Sequence, residues 1–315
     1  MYNVYDLLIF HSTVRPAAPF LILGQRSFSF GEVRAKVDSF SNSLRESGVN
    51  CGDRVVISCH TPLEYVVAVM STWAIEAVVA PIEPNLAEPE YETLLKVSQA
   101  NWIVSSNPID DGLALKSTGN VSSDWPANIR KPAQLLFTSG SSGIPKAVIL
   151  SHESLMAAAI ECADSIALRS SDVQMTTVPF WHAYGQNRGL NATLFAGACV
   201  APVFDDNLAT RVAELKRIRP TILFSVASFF GFLAFSKQQI GGRLRAAVAG
   251  AAPLPVPVKE KFEAFYDVPL LTTYGLTEFL LISCQRLADN RVSGSVGFPC
   301  RGVELKIADD EGNAV

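Results

Sequence analysis

The sequence predicts an α/β protein built from two doubly wound βα layers with largely parallel sheets, followed by the start of a small β region. Two observations carry this. Helical and short apolar segments alternate along nearly the whole chain, which implies crossovers that bring successive strands parallel and cover a sheet on both faces. The 315 residues are also 49% hydrophobic with a mean hydropathy of +0.23, enough for a sizeable core and for one large or two ordinary domains.

The elements follow in order. "FGEVRAKVDSFSNSLRESG" has apolar residues at helical spacing and stops at a glycine, and "DRVVISC" after it is a buried strand. "PLEYVVAVMSTWA" is then a helix, "AVVAPI" a strand, "EPEYETLLKVSQ" a helix and "NWIVSS" a strand. Residues 1–106 form the first α/β portion, and the polar stretch 107–132, rich in Gly, Ser, Asp and Pro, is a connection. Residues 133–292 form a second α/β portion, through "AQLLF", "VQMTTVPF", "GLNATLFAGA", "ATRVAELKRIR", "TILFSV", "ASFFGFLAF", "LRAAVAG", "VPVKEKFEAFY" and "VPLLTTYG". Residues 293–315 begin the β region. No fixed-period repeat or low-complexity tract is present.

Charge and cysteines narrow the function. With 26 Lys and Arg against 30 Asp and Glu, the net charge of -4 offers no broad basic face, so nucleic acid is not an expected partner. Cys51, Cys59, Cys162, Cys199, Cys284 and Cys300 are scattered without metal-ligand spacing, as expected of reduced thiols in a cytoplasmic protein. The most apolar long run, "YVVAVMSTWAIEAVVAPIEP", contains Glu76 and a proline-bounded end, so it is a buried helix and strand rather than a membrane span. The N-terminus lacks the pattern of a signal peptide.

The stretch with most chemistry is "LLFTSGSSGIPKAVILSH", Leu135 to His152. A strand ends in a loop whose glycines let backbone N–H groups turn inward as an anion nest, whose hydroxyls add donors, and which is closed by the charge of Lys146. Such a loop suits phosphate and stands at the carboxyl end of a strand, where open α/β sheets bind ligands. It is not a Walker loop, because Pro145 precedes the lysine and alanine follows it.

"FTSGSSGIPKAVILSH" resembles the signature loop of the acyl-adenylate-forming superfamily, which contains acyl- and aryl-CoA synthetases, luciferases and the adenylation domains of nonribosomal peptide synthetases. "VPFWHAYG", "AVAGAAPLP", "TTYGLTE" and "GSVGFPCRGVELKIADDEG" follow in the order found in that family. The resemblance implies a reaction in which a carboxylate attacks the α-phosphate of ATP, giving acyl-AMP and pyrophosphate. A thiol of CoA or of an acyl carrier protein then takes the acyl group. It also implies roles. Thr138, Ser139, Gly140, Ser141, Ser142, Gly143 and Lys146 would cradle the β- and γ-phosphates of ATP. Gly250, Ala251 and Ala252 would wall the adenine, against which Tyr274 would lie, with Thr273 and Gly275 beside it. Thr277 would bond the α-phosphate, and Glu278 would hold Mg²⁺.

His182, in "PFWHAYG", stands where the family's coumarate- and acyl-CoA ligases carry a histidine beside the substrate carboxylate. Amino-acid-activating domains usually place an aspartate there, so the resemblance favours an acyl or aryl acid over an ordinary α-amino acid. Tyr184, Gly185, Ser225, Val226, Gly250 and Thr273 are further candidates for the acid pocket, with Lys146, His182, Thr277 and Glu278 as the catalytic set. The alternatives are an adenylation domain for an unusual, for instance β-, amino acid and a non-catalytic nucleotide-binding fragment. The family pattern continues, beyond the point that Val315 reaches, into a ribose-binding aspartate and a mobile C-terminal domain carrying the adenylating lysine, so the expectation is an N-terminal portion with that domain absent.

Overall fold

The computed structural model describes residues 3–107, 112–121, 125–126, 131–138 and 145–314. Helix α1 (Tyr5–Val14) leads into β1 (Pro19–Leu23) and β2 (Arg26–Ser29), then α2 (Phe30–Glu46), β3 (Arg54–Ser58), α3 (Pro62–Ala74), β4 (Val78–Pro81), α4 (Glu88–Ser98), β5 (Trp102–Ser106) and β6 (Leu113–Ser117). A hairpin follows, β7 (Pro132–Thr138) and β8 (Lys146–Ser151), then α5 (His152–Ser165) and β9 (Val173–Thr176). A π-helical segment, Gly185–Asn191, runs into α6 (Ala192–Ala196), and the chain continues through β10 (Cys199–Pro202), α7 (Leu208–Ile218), β11 (Ile222–Val226), α8 (Ala227–Ser236), β12 (Ala246–Gly250), α9 (Val256–Tyr266) and β13 (Leu270–Tyr274). The short strands β14 (Ser283–Cys284) and β15 (Phe298–Pro299) close the series.

Helix starts follow local chemistry. Ser29 and Thr61 each accept a hydrogen bond from the backbone N–H three residues on, while Glu32 and Glu64 reach back, so α2 and α3 both begin with a capping box. Nine of the thirteen residues of α3, Tyr65 to Trp73, are buried, as expected of a helix covered on all sides.

The strands form two largely parallel sheets, one ordered β6-β5-β3-β4-β7-β8 and the other β15-β14-β13-β12-β11-β9-β10-β1-β2. Sheet membership departs from the division expected at residues 106 and 133. The N-terminal hairpin β1-β2 joins the nine-stranded sheet through the parallel pairing of Leu21 with Val200, and β7 joins the six-stranded one through Val79 and Gln134. The polar connection is also not wholly loop. Leu113–Ser117 is an edge strand antiparallel to β5, from Trp102 opposite Ser117 to Ser106 opposite Leu113. An edge strand covers only one neighbour, so the short "LALKS" suffices without the apolar run of a central strand. The two largest cores lie on different elements, one around α2, α3 and the strands beneath them, the other between α7, α8, α9 and β11-β13.

Candidate active site

A cavity of about 1040 Å³ opens where the carboxyl ends of β4, β7, β11 and β13 and the segment after β9 converge. Its wall includes Thr138, Thr177, His182, Tyr184, Val226, Ala251, Thr273, Gly275, Thr277 and Glu278. Segments far apart in sequence thus meet at one opening, at strand ends, where α/β sheets bind ligands.

The turn at Pro179–Gln186 is the most constrained part of that wall. His182 N–H donates to the Pro179 carbonyl at 3.2 Å, and Gln186 N–H to the His182 carbonyl at 2.9 Å. Gly185 is required here: a Cβ on it would lie 1.9 Å from the Pro179 oxygen, so the chain could not fold back this tightly with any side chain. Gly185 is itself buried behind the wall. Past the turn the chain is π-helical, a form whose wide hydrogen-bond register frees carbonyls. Gln174 on β9 takes up two of them, donating to Arg188 and Gly189 at 2.9 and 3.1 Å.

The two side chains carried by the turn behave differently. The His182 ring is open to the cavity, yet the protein around it desolvates the charged form and pushes its pKa below the usual imidazole value, with Glu83 acting in the opposite sense. It is not a core histidine: its ring centroid stands 6.3 Å from that of Trp181, at a tilt of 52°. Tyr184 reaches across to β13, its hydroxyl 3.0 Å from the Thr273 hydroxyl. Gly250 lies under that contact, since a Cβ there would come within 2.2 Å of the Tyr184 hydroxyl. Gly250 therefore shapes the wall without lining it. Ser225 is also behind the wall, fully buried and 2.5 Å from the hydroxyl of Thr177, which does line the cavity.

The other expected residues are spread around the opening. Tyr274 is 45% exposed at the end of β13, with Thr277 and Glu278 on the cavity wall beyond it. Ala252 is exposed beside Ala251 and outside the lining. Lys146 opens β8 directly opposite Thr138 on β7, one ladder position from the wall, and its side chain is exposed. Ser139, Gly140, Ser141, Ser142 and Gly143 lie outside the described residues.

Sequence reasoning missed several lining residues: Glu83 after β4, Leu94 on α4, Trp181 in the turn, and Asp206 with Arg211 at the start of α7. Arg211 donates to the Asp206 carboxylate at 3.0 Å and to the Asp205 carbonyl. Trp181 was the one visible signal, as an aromatic beside His182; the others lie in ordinary amphipathic or loop sequence.

A divalent cation bound with a nucleotide takes oxygen ligands from one or two carboxylates and from the phosphates. Glu278, an exposed carboxylate on the cavity wall, fits that requirement. The buried group Glu161, Cys284 and Cys300 has metal-ligand spacing, but its carboxylate already pairs with Arg286 at 3.0 Å and Arg301 at 3.5 Å.

The decisive comparison is with family profiles: that of the AMP-binding enzymes matches residues 10–315. The chain belongs to the AMP-binding enzyme family. Among its relatives, the mitochondrial malonate–CoA ligase of Mus musculus is 24% identical over 343 residues, covering 90% of this chain and 59% of that protein. The benzoate–CoA ligase of Thauera aromatica is 26% identical over 322 residues, covering 91% and 60%. The chain thus spans about three-fifths of the length of these relatives. Among solved structures, an anthranilate CoA ligase in complex with anthranoyl-AMP superposes with a TM-score of 0.87 at 22% identity, over all of this chain and 67% of that one. The α/β fold with two largely parallel sheets is that of the N-terminal domain of adenylate-forming enzymes.

Proposed function

We propose that this chain carries the nucleotide and acid sites of an adenylate-forming ligase, which joins a small carboxylic acid to AMP at the expense of ATP and then passes the acyl group to the thiol of CoA. One observation supports this most: a single cavity at parallel strand ends brings Thr138, next to the hydroxyl-rich loop, together with Thr277, Glu278, His182 and Tyr184. The relatives named above, CoA ligases for malonate and benzoate, point to the same chemistry.

The protein's own residues would work by placement and electrostatics. The reaction joins two anions, so its barrier falls when both are held in line and the charge on the leaving pyrophosphate is matched. Lys146 and the Thr138 hydroxyl would hold the outer phosphates. Thr277 would fix the α-phosphate, and Glu278 would hold Mg²⁺, which supplies positive charge to the phosphates when bound. His182, neutral near pH 7, would donate a hydrogen bond to the acid and leave its carboxylate free to attack.

The acid is a short acyl or aryl monocarboxylate in this reading. Arg211 is the one Lys or Arg among the described lining residues, and Asp206 already matches it, whereas Glu83 and Glu278 add negative charge. A second carboxylate would enter that cavity without a free cation, which is costly. For the same reason the carboxylate of Glu83 supports a second reading, an acid bearing an amino group away from its α-carbon. The thiol could equally sit on a carrier protein. Five of the six free cysteines are buried, which suits a reducing compartment such as the cytoplasm, and no helix among the described residues is long and apolar enough to cross a membrane. ATP–pyrophosphate exchange with benzoate, acetate, malonate, a β-amino acid and proteinogenic amino acids tests the proposal. Exchange strongest with a monocarboxylate is expected; exchange strongest with an α-amino acid overturns it.

A further inference from the structure

The chain that carries His182 and Tyr184 is clasped at both ends by one buried hydroxyl from the other sheet layer. Tyr65 on α3 places its Oη 2.9 Å from the Phe180 carbonyl and 2.5 Å from Gln186 Oε1. Phe180 stands two residues before His182, and Gln186 two residues after Tyr184. Gln134 on β7 adds a third contact, 2.9 Å from the Gln186 side chain. Tyr65, Gln134 and Gln186 are at most 2% exposed, so none of these contacts is shared with bulk water. Burial holds the Tyr65 phenol well above its usual pKa, so it stays protonated at any working pH.

The hydroxyl has one proton and serves one acceptor at a time. The Phe180 carbonyl and Gln186 Oε1 therefore compete for that proton, and Gln186 Oε1 also accepts from the Gln134 NH₂. The clasp is then a chain from β7 through the π-helical segment and Tyr65 to the backbone just before Trp181. Packing alone would not need it: Phe180 already lies against Tyr65 at a centroid separation of 5.9 Å and against Phe204 at 5.0 Å. A buried polar chain amid aromatic packing fixes direction, which packing leaves free.

We infer that Tyr65, with Gln186, is a positioning residue for acid recognition: it touches neither acid nor nucleotide, and it sets where His182 and Tyr184 stand on the cavity wall. This rests on the functional reading above, and it goes beyond that reading by assigning acid affinity to a residue outside the site. It also predicts a split, because Thr277, Glu278 and Lys146 lie on other segments. Losing the clasp should loosen the hold on the acid and leave the hold on the nucleotide unchanged.

Calorimetric titration of the protein with two probes tests this. ATP with Mg²⁺ reports the nucleotide side alone; benzoyl-sulfamoyl-adenosine, a stable mimic of an acyl-adenylate, reports both sides. In Tyr65→Phe, which keeps the ring and removes the oxygen, the mimic should bind roughly tenfold more weakly, the size of one lost hydrogen bond. The affinity for ATP should stay within about twofold, a margin well under one hydrogen bond. Gln186→Met should shift the mimic in the same direction, and the double variant should lose less than the sum, because both act through one network. If Tyr65→Phe fails to fold, Gln186→Met decides alone. Equal weakening of both probes, or unchanged affinity for both beside a lowered Tm, overturns the positioning role and leaves the functional reading intact. A wild-type protein that binds neither probe overturns the functional reading, and this role with it.

Discussion

The turn at Pro179–Gln186 and the segment from Tyr274 to Leu281 form neighbouring parts of one cavity wall and are held in opposite ways. The first is tied by fully buried side chains, Tyr65, Gln186 and Gln134, and continues into a π-helical segment whose seven residues are all buried. The second is held by its own backbone, with Leu280 N–H donating to the Leu276 carbonyl at 2.6 Å and Ile282 N–H to the Tyr274 carbonyl at 2.9 Å, while Leu276 and Phe279 stay about half exposed. Under the proposed function the difference suits what each segment would hold. A neutral donor meeting one carboxylate needs fixed direction, whereas phosphates and a hydrated cation are matched by charge and tolerate an open, wet wall.

The sharpest way to break that comparison is to remove charge from the open side. In Lys146→Ala made in the full-length protein, ATP–pyrophosphate exchange should slow by roughly 100- to 1000-fold, the usual loss for one preorganised charge partner of a transition state. The side chain is exposed at the start of β8, so thermal unfolding should be unchanged. Exchange at the wild-type rate would remove the phosphate role and leave the acid turn as the dominant contributor.

The buried side can be tested through acid stability. His152 packs edge-on against Trp73 of α3, the helix that carries Tyr65, and burial lowers its pKa from about 6.5 to about 4. The unfolded chain therefore binds a proton that the folded chain refuses between those values. Stability from this group is complete above pH 6.5 and is lost as pH falls towards 4, on the order of 3 kcal/mol in all. Urea unfolding at pH 7.5 and pH 4.5 should show that loss, and His152→Gln should reduce it. An equal acid loss in both proteins would mean that His152 is not the group responsible.

A smaller effect is expected where the two sides touch. Gly250→Ala puts a methyl within 2.2 Å of the Tyr184 hydroxyl, so the ring must move and its contact with Thr273 must lengthen. Benzoyl-sulfamoyl-adenosine should bind about tenfold more weakly, in keeping with one displaced hydrogen bond. A loss confined to ATP would instead assign Gly250 to the adenine wall, as the family resemblance suggests.

Much of this architecture was legible because its signals are local. The alternation from "DRVVISC" to "NWIVSS" matches β3 to β5, and the strand before the hydroxyl-rich loop is β7. His182, Thr277 and Glu278 could be singled out because each sits in a short motif, and the fold brings them to one cavity. The clasp was not legible. Tyr65 and Gln186 are 121 residues apart, and nothing in "PLEYVVAV" marks its tyrosine as a donor to a distant backbone. Glu83 and Arg211 were missed for a related reason: a charged residue in a loop or helix turn has the same local pattern whether it faces water or a cavity. Sheet membership was illegible too, since β1 pairs with β10 across the whole first half of the chain.

The smallest expected effect concerns the charge state of His182 itself. Its depressed pKa leaves the ring neutral at pH 7, so under the proposed function it would act there as a directional donor and not as a cation. Lowering the pH protonates it, and Glu83, which favours the charged form, helps to keep the proton. Benzoate, with a pKa near that of an ordinary carboxyl group, stays largely ionised down to about pH 5. Its binding in the presence of ATP should therefore tighten by a few-fold as pH falls from 7.5 to 5.5, the modest gain expected when a neutral hydrogen bond to a carboxylate becomes charge-assisted. Working above pH 5 keeps the unfolding linked to His152 incomplete, and His182→Asn, neutral throughout, should bind benzoate with no such slope. A slope of equal size in His182→Asn would locate the titrating group elsewhere on the cavity wall and would leave direction rather than charge as the whole contribution of the turn.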